Sequence, residues 1–366
     1  MQFAELLKKM TETGASDLHI RSDSAPALRV DGVIAKIEGA THTAAEVEKM
    51  VGELLDDRNR AMLKDHFQCD MAVSMEDGSR FRLNVYRQRG LLNIAVRAIP
   101  VSVPSLADTK LPASIAKIAE NRRGLVLVTG TTGCGKSTTL AAIINHINEN
   151  RAAHIITVED PIEFIHKDKK SIITQREIGL DTVNYAEALK HVVREDPDVI
   201  LIGEMRDIET MATALTAAQT GHLVLSTVHT IDAMQTITRI IDMFPPHQQN
   251  QIRLQLSDTL KAVISQRLAP NASGKGRLPV AEILVVTGLV KKFIAENNNV
   301  EIISAMKQGQ YYGMQSFNQA LLALVKNKEI NLQDALEIAT NPEELMLSIR
   351  GIESSTASAS NILERF

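Results

Sequence analysis

A glycine-rich segment, Gly130 to Ser137, constrains the fold of this chain more than any other part of its sequence. The segment fits the pattern G-x-x-x-x-G-K-[ST], follows the apolar run Leu125 to Val128, and precedes a helical pattern from Thr138 to Asn148. Loops in this strand–loop–helix order bind phosphate, because their backbone N–H groups and the positive end of the helix dipole face the anion. The sequence therefore predicts a nucleotide-binding α/β domain.

The predicted nucleotide contacts come from this P-loop and from the first turn of the helix after it. We expect Lys136 to reach the β- and γ-phosphates and the Ser137 hydroxyl to ligate Mg²⁺. Cys134 occupies a variable position of the pattern, and we interpret it as a passenger and not as a nucleophile. The predicted ATP-binding set is Gly130, Thr131, Thr132, Gly133, Cys134, Gly135, Lys136, Ser137 and Thr138.

Acidic residues follow two further apolar strands. Glu204 comes after the run Asp198 to Ile202, whereas Glu159 and Glu163 come after the strand His154 to Val158. The carboxyl ends of parallel strands meet at the edge where α/β sheets bind ligands. Glu204 is therefore the candidate for orienting an attacking water, and Glu159 and Glu163 are candidate catalytic and Mg²⁺-facing carboxylates. The strands of the predicted parallel sheet are 125–129, 154–158, 171–174, 198–202 and 222–227.

Two histidines, His222 and His229, bracket the last of these strands. A zinc site is disfavoured, because no cysteine or third histidine is suitably spaced. The residues alone leave two interpretations open, a sensor of the γ-phosphate or an ordinary loop histidine.

Residues 1–100 have the pattern of a small α+β unit, with a helix near 2–13 and hairpin signals at Asp31-Gly32 and Asp77-Gly78. A second helix is predicted around Val47 and Val51, and a strand from Ile94 to Ile99. The alternating run from Arg80 to Tyr86 places apolar and basic side chains on opposite faces. Its members are Phe81, Leu83 and Val85 on one face and Arg80, Arg82 and Asn84 on the other. By itself, this basic face is also typical of a solvated surface.

Composition excludes several classes of protein. Hydrophobic residues make up 44% and charged residues 23%, as in a soluble globular protein. The net charge of -4 and the 3% of aromatic residues disfavour a nucleic-acid partner, which needs a basic field or stacking platforms. Two cysteines cannot form a four-cysteine zinc site, and no apolar run approaches the ~20 residues of a membrane helix. We expect no integral membrane segment.

With these motifs assembled, the chain resembles the type IV pilus retraction (twitching motility) ATPases, the PilT-like members of the type II/IV secretion ATPase superfamily. The run from Arg194 to Asp207 is the most specific part of the match. The other matching segments are 14–20, 80–85, the P-loop, 158–163, the histidines at 222 and 229, and 240–246.

The resemblance implies a homohexameric ATPase motor that uses MgATP to drive pilus retraction. It further implies a cytoplasmic location at the inner membrane and an inner-membrane pilus platform protein as partner. Arginines of the N-terminal domain would reach nucleotide at the subunit interface, and the matching positions are Arg80, Arg82 and Arg97. The resemblance identifies residues 1–100 as a PAS-like N-terminal domain and 116–286 as a RecA-like P-loop core. The prolines between them predict a linker (101–115), and the sequence pattern beyond the core predicts a C-terminal helical region (287–353) and a disordered tail (354–366).

Other functions stay open beside this one. Pilus-extension and type II secretion ATPases share the motifs, but they typically carry a four-cysteine zinc module and a longer N-terminus. The segment Gly288 to Ile294 departs from the Ala-Ile-Arg motif of the retraction group, which leaves an accessory retraction paralogue possible. A nucleic-acid translocase is disfavoured by the net charge. A protein that holds ATP without turnover is disfavoured because Lys136, Ser137, Glu163 and Glu204 are all present.

Overall fold

The structure is a computed structural model that describes residues 1–30, 32–75, 78–99, 103–274 and 276–351. The chain divides into two compact units. The first, called the N-terminal unit, comprises Met1–Ser102 and Glu163–Ile165, and the second, called the P-loop unit, comprises Val103–Ile162 and His166–Phe366. The predicted tail 354–366, the first linker residues 101 and 102, and the turn residues Asp31 and Asp77 lie outside the described residues.

The N-terminal unit contains a six-stranded antiparallel sheet with the strand order β3-β2-β1-β6-β5-β4. Its elements are α1 (Phe3–Glu12), β1 (Asp17–Arg21), β2 (Ala27–Val30), β3 (Val33–Lys36), α2 (Ala44–Leu54), α3 (Asp57–His66), β4 (Gln68–Ser74), β5 (Arg80–Gln88) and β6 (Leu91–Ile99).

One face of this sheet forms the core of the N-terminal unit. Phe81, Leu83 and Val85 of β5 are at most 1% exposed, which confirms the alternation predicted from the sequence. Leu6 and Met10 of α1 belong to the same apolar cluster. Burial of such side chains stabilises the unit by roughly 25 cal/mol per Å² of apolar surface removed from water.

The P-loop unit contains a seven-stranded sheet with the order β13-β12-β7-β11-β10-β8-β9. All neighbouring strands pair in parallel except the last two strands of the chain, which form an antiparallel hairpin. Its elements are α4 (Ser114–Ala119), β7 (Gly124–Thr129), α5 (Lys136–Asn150), β8 (His154–Glu159), β9 (Ile172–Glu177), α6 (Tyr185–Val192), β10 (Val199–Ile202), α7 (Ile208–Gln219), β11 (Leu223–Val228), α8 (Ala233–Asp242), α9 (Pro246–Thr259), β12 (Leu260–Pro270), β13 (Arg277–Val285), α10 (Gly288–Ala295), α11 (Asn299–Gln308), α12 (Phe317–Lys326), α13 (Leu332–Ile338) and α14 (Pro342–Ile349). The predicted α/β class with a parallel sheet is confirmed.

The central strands of the P-loop unit are buried along their whole length. Every residue of β7, β10 and β11 is buried, because apolar clusters cover both faces of the sheet. This double burial explains why the strands are continuous apolar runs and not alternating ones. Parallel pairing brings the carboxyl ends of β7, β8, β10 and β11 to the same edge, and this edge carries the candidate site.

After β13 the described chain is helical, as predicted. Phe317, Leu321 and Leu345 of the C-terminal helices form a cluster with Val280 of β13. The Arg267 guanidinium of β12 lies 3.8 Å from the centre of the Phe317 ring, a cation–π contact between the sheet and these helices.

Helix α3 has no counterpart among the predicted elements. Its sequence is polar, and only Asn59 and Leu63 are buried, so it lacks the apolar stripe on which the prediction depended. The Asp56 side chain accepts a hydrogen bond from the Asn59 N–H at 2.7 Å and caps its first turn. Within the described ranges, every helix is too short or too polar to cross a membrane.

Candidate active site

The P-loop connects β7 to α5 at the carboxyl edge of the sheet. Gly130, Gly133 and Gly135 all have positive φ values, which residues other than glycine rarely adopt. Gly130 also has no room for a Cβ atom, which would stand 2.5 Å from the Gln266 carbonyl oxygen and 2.6 Å from the Cys134 sulfur. The two glycines of the pattern are thus required by backbone conformation, and Gly130 by close packing as well.

Lys136, the first residue of α5, folds back over this loop. Its Nζ donates hydrogen bonds to the carbonyl oxygens of Gly130 at 2.9 Å and Thr131 at 3.0 Å. The side chain is only 9% exposed, so its charge is partly desolvated and held at the loop. Burial raises the pKa of the neighbouring Cys134 thiol, although the Lys136 charge lowers it in part. A thiol with a raised pKa is a poor nucleophile, in agreement with its interpretation as a passenger.

The remaining loop residues differ in exposure. Thr131, Thr132 and Thr138 are exposed, whereas Ser137 is half-buried in the first turn of α5. The exposed set faces solvent, where it is accessible to a nucleotide.

Strand β12 supports the P-loop through polar contacts that the sequence patterns did not reveal. The Thr129 hydroxyl donates to the Ser265 hydroxyl at 3.0 Å. The Gln266 amide exchanges hydrogen bonds with the Thr139 hydroxyl at 2.8 and 3.1 Å. All four side chains are buried, so each needs the partner it has. The Gln266–Thr139 pair spans 127 positions, and no local pattern signals it.

Glu204 lies two residues beyond β10 and joins two other side chains. Its Oε1 is 2.7 Å from Arg206 Nε, and its Oε2 is 3.4 Å from His229 Nε2. The Glu204 side chain is 18% exposed, whereas His229 is 45% exposed. His222 lies at the opposite end of β11, where its Nδ1 is 2.9 Å from the Ala217 carbonyl oxygen. The structure therefore brings His229, and not His222, to the predicted acidic residue.

Glu159 ends β8 at the same edge. Its Oε1 accepts hydrogen bonds from the Thr157 hydroxyl at 2.7 Å and from the Gln175 amide at 3.3 Å. These contacts fix the orientation of the carboxylate. Glu163 is exposed and is grouped with the N-terminal unit. Its predicted role beside Glu159 stays a prediction.

The predicted arginines lie on two neighbouring strands of the N-terminal unit. Arg80 and Arg82 are on β5, and Arg97 is on β6 directly opposite Arg82. Arg82 Nε is 3.7 Å from an Asp70 carboxylate oxygen, and Arg97 Nε donates to Asp17 at 2.9 Å. The side chains of Arg82 and Arg97 are 44% and 71% exposed.

No group of three or more His, Cys, Asp or Glu side chains in the described part of the chain could hold a metal ion. Mg²⁺ needs no such cage, since it commonly binds one or two protein oxygens together with substrate phosphates and water. The Ser137 hydroxyl and the Glu159 carboxylate are oxygen donors of this kind.

Comparisons with known proteins agree with the geometry. The family model described as type II/IV secretion system protein matches residues 2–336. The chain is 45% identical over 320 residues to a twitching motility protein of Neisseria gonorrhoeae, covering 87% of this chain and 86% of that protein. It is 40% identical over 365 residues to the type IV pilus ATPase PilU of Pseudomonas aeruginosa, covering 100% of this chain and 96% of that protein.

A solved structure has the same fold. The pilus retraction motor PilT with bound ADP matches at a TM-score of 0.89 and 42% identity, covering 94% of this chain and 99% of that chain. The match extends over both units, and it confirms the RecA-like fold and the ATP hydrolase class. The chain belongs to the type II/IV secretion system protein family and, within it, to the type IV pilus retraction ATPases.

Proposed function

We propose that this chain is a homohexameric, Mg²⁺-dependent ATP hydrolase whose active site is formed by the P-loop and the Glu204 cluster. The observation that carries the proposal is the contact of Glu204 with both Arg206 and His229 on the edge that holds the P-loop. A carboxylate fixed at that edge is suited to orient a water for in-line attack.

In this proposal the P-loop binds the phosphates. The exposed loop supplies backbone N–H groups from Thr131 to Gly135, and Lys136 exchanges its two carbonyl contacts for phosphate oxygens. Thr138 lies in the first turn of α5 and completes the set.

Ser137 and Glu159 fit a divalent cation, because both offer oxygen atoms and Glu159 is already oriented by Thr157 and Gln175. Mg²⁺ bound there would neutralise charge on the phosphates. Glu163 is proposed as a further carboxylate of the site. His229 is proposed to sense the γ-phosphate through its contact with Glu204.

The basic face of the N-terminal unit is proposed to complete the site of a neighbouring subunit in the ring. Arg80, Arg82 and Arg97 are the candidates for this role. An arginine supplied to a phosphoryl-transfer site from a second subunit contributes about 10³–10⁵ to the rate. Because only a ring places such a residue beside every nucleotide, turnover depends on assembly.

The ring is proposed to act at the cytoplasmic side of the inner membrane on a platform protein and so to drive pilus retraction. Two interpretations remain within this function, the principal retraction motor and an accessory paralogue. The relatives include both a retraction ATPase at 39% identity and the PilU ATPase at 40%. Expression of the chain alone in a strain without retraction ATPases separates them, since only a principal motor restores twitching.

The experiment that tests the proposal measures ATP turnover per subunit against protein concentration, for the wild type and for Glu204→Gln. We expect wild-type turnover to rise with concentration and reach a plateau, and the variant to lose it. Glu337→Gln is the matched control, because Glu337 is exposed on α13. Unchanged turnover in Glu204→Gln would contradict the assignment of the site.

A further inference from the structure

Tyr185 opens helix α6 and reaches the carboxyl end of β10. A Cβ atom on Gly203 would stand only 2.8 Å from the Tyr185 hydroxyl oxygen. Gly203 lies between β8 and β11, because its N–H donates to the Val158 carbonyl and its own carbonyl accepts from the Thr227 hydroxyl. Since its φ is outside the left-handed region, the approach of the phenol accounts for a glycine at this position.

The surroundings of Tyr185 hold its hydroxyl in the neutral form. Burial raises the pKa of the phenol most, and the carboxylates of Glu204, Asp160 and Glu159 raise it further, against a smaller effect of Arg206. The ring packs against the main apolar cluster of the P-loop unit. Gly203 directly precedes Glu204, and the Cβ position on Gly203 that lies beside the hydroxyl is also 3.4 Å from the Glu159 Cα. The neutral side chain is therefore an O–H donor close to these two residues.

The neighbouring carboxylates already have partners that fix them. Glu204 is held by Arg206 and His229, and Oε1 of Glu159 is held by Thr157 and Gln175. No hydrogen bond within the described residues uses the Tyr185 hydroxyl. A neutral donor beside oriented acceptors is the arrangement that binds a water, whose oxygen accepts from the phenol while its protons face carboxylates.

We propose that Tyr185 is a positioning residue of the hydrolytic site, and that its hydroxyl holds a water against Glu204. The inference rests on the function proposed above for Glu204 and adds a donor to it. Tyr185 does not contact the nucleotide in this arrangement, so its hydroxyl acts on turnover and not on binding.

The first test compares the kinetics of Tyr185→Phe with those of the wild type. Phenylalanine keeps the ring that packs in the core and removes only the hydroxyl. We expect kcat to fall about 10-fold, the loss that corresponds to one neutral hydrogen bond, with KM and ADP affinity unchanged. Tyr311→Phe is the matched control, because Tyr311 is 91% exposed, and it is expected to retain wild-type kcat.

The second test is spectroscopic and does not depend on turnover. The chain has four tyrosines and no tryptophan, so the tyrosinate absorbance of Tyr185 is the difference between the titrations of the wild type and Tyr185→Phe. We expect Tyr185 to ionise at higher pH than the other tyrosines. In Glu204→Gln we expect its ionisation to move to lower pH, because the carboxylate whose negative charge raises the pKa of Tyr185 most is removed.

The outcomes separate this inference from the proposed function. If Glu204→Gln keeps full turnover, the proposed function fails, whatever the effect of Tyr185→Phe. If Glu204→Gln loses turnover but Tyr185→Phe keeps wild-type kcat, only the role of Tyr185 is wrong. A loss of ADP affinity in Tyr185→Phe, or a titration that ignores Glu204→Gln, would also overturn the inference.

Discussion

The two units of this chain hold the charged side chains of the proposed site in different ways. In the P-loop unit, Lys136 and Glu204 are 9% and 18% exposed and are fixed by contacts inside the same unit. In the N-terminal unit, Arg82 and Arg97 are 44% and 71% exposed and bind carboxylates on their own sheet. The first arrangement holds its charges in partly desolvated positions, whereas the second depends on ion pairs that solvent screens.

This difference indicates how a site shared between neighbouring subunits can be assembled. Exposed ion pairs contribute only about 0–1 kcal/mol, so Arg82 can leave Asp70 at little cost. Arg97 is held more firmly, because the Asp17 side chain that it binds is only 15% exposed. The two arginines are directly opposite on β5 and β6, and like charges so placed disfavour the sheet. In the shared site proposed above, a phosphate group accepts from both guanidinium groups and so lowers this repulsion.

The largest effect is expected for the exposed arginines of the N-terminal unit. We expect one of Arg80→Ala, Arg82→Ala and Arg97→Ala to lower turnover by about 10³–10⁵, as for loss of an arginine finger. Arg87→Ala is the control, since Arg87 is on the same strand and its guanidinium binds the Gly90 carbonyl.

Mixed rings decide whether that arginine acts between subunits. When the impaired arginine variant is mixed with Lys136→Ala, we expect partial recovery of turnover, because some interfaces then combine an intact arginine with an intact P-loop. Full turnover in all three arginine variants would mean that the basic face is an ordinary solvated surface.

A somewhat smaller effect is expected for Lys136 of the P-loop unit. We expect Lys136→Ala to lower turnover by about 10²–10³, the scale of removing one preorganised donor, and to weaken ADP binding as well. Lys117→Ala, an exposed position on α4, serves as the control in the same unit. If Lys136→Ala binds ADP as the wild type does, the nucleotide lies elsewhere.

The sequence predicted the positions of those candidate site residues that depend on local order along the chain. The P-loop and Glu204 follow buried strands and Glu159 ends one, and parallel pairing alone brings these strand ends to one edge. Residues that act through long-range packing were not predictable in this way. Gln266 reaches Thr139 from a distant strand, and Tyr185 meets Gly203 only because α6 packs on the sheet. Neither pair is marked in the sequence by hydrophobic periodicity or by a motif of fixed spacing.

The smallest expected effects come from two carboxyl groups, the buried Glu282 and the half-buried Asp17, whose pKa values are shifted in opposite directions. Burial raises the pKa of Glu282 in the P-loop unit from 4.5 to about 7; the Ala233 N–H and Arg267 oppose this effect, whereas Asp232 adds to it. Burial also acts on Asp17 in the N-terminal unit, but hydrogen bonds from Ser16 and Arg97 outweigh it and lower its pKa below 3.8. The units should therefore respond to acid with opposite signs.

For Glu282, the folded state keeps a proton that the unfolded state releases between pH 4.5 and about 7, so stability falls as pH rises through that window. Hydrogen exchange resolved by unit measures this, and Glu282→Gln should remove a pH dependence of up to about 3 kcal/mol in the P-loop unit alone. For Asp17, the folded state binds the proton more weakly, so its stabilisation is present above pH 3.8 and is lost as pH falls below it. In Asp17→Asn, the stability of the N-terminal unit should therefore fall less steeply as pH falls below 3.8, with no change in the P-loop unit. A single pH profile shared by both units, changed equally by either variant, would mean that their cores unfold together and that the contrast between them does not extend to stability.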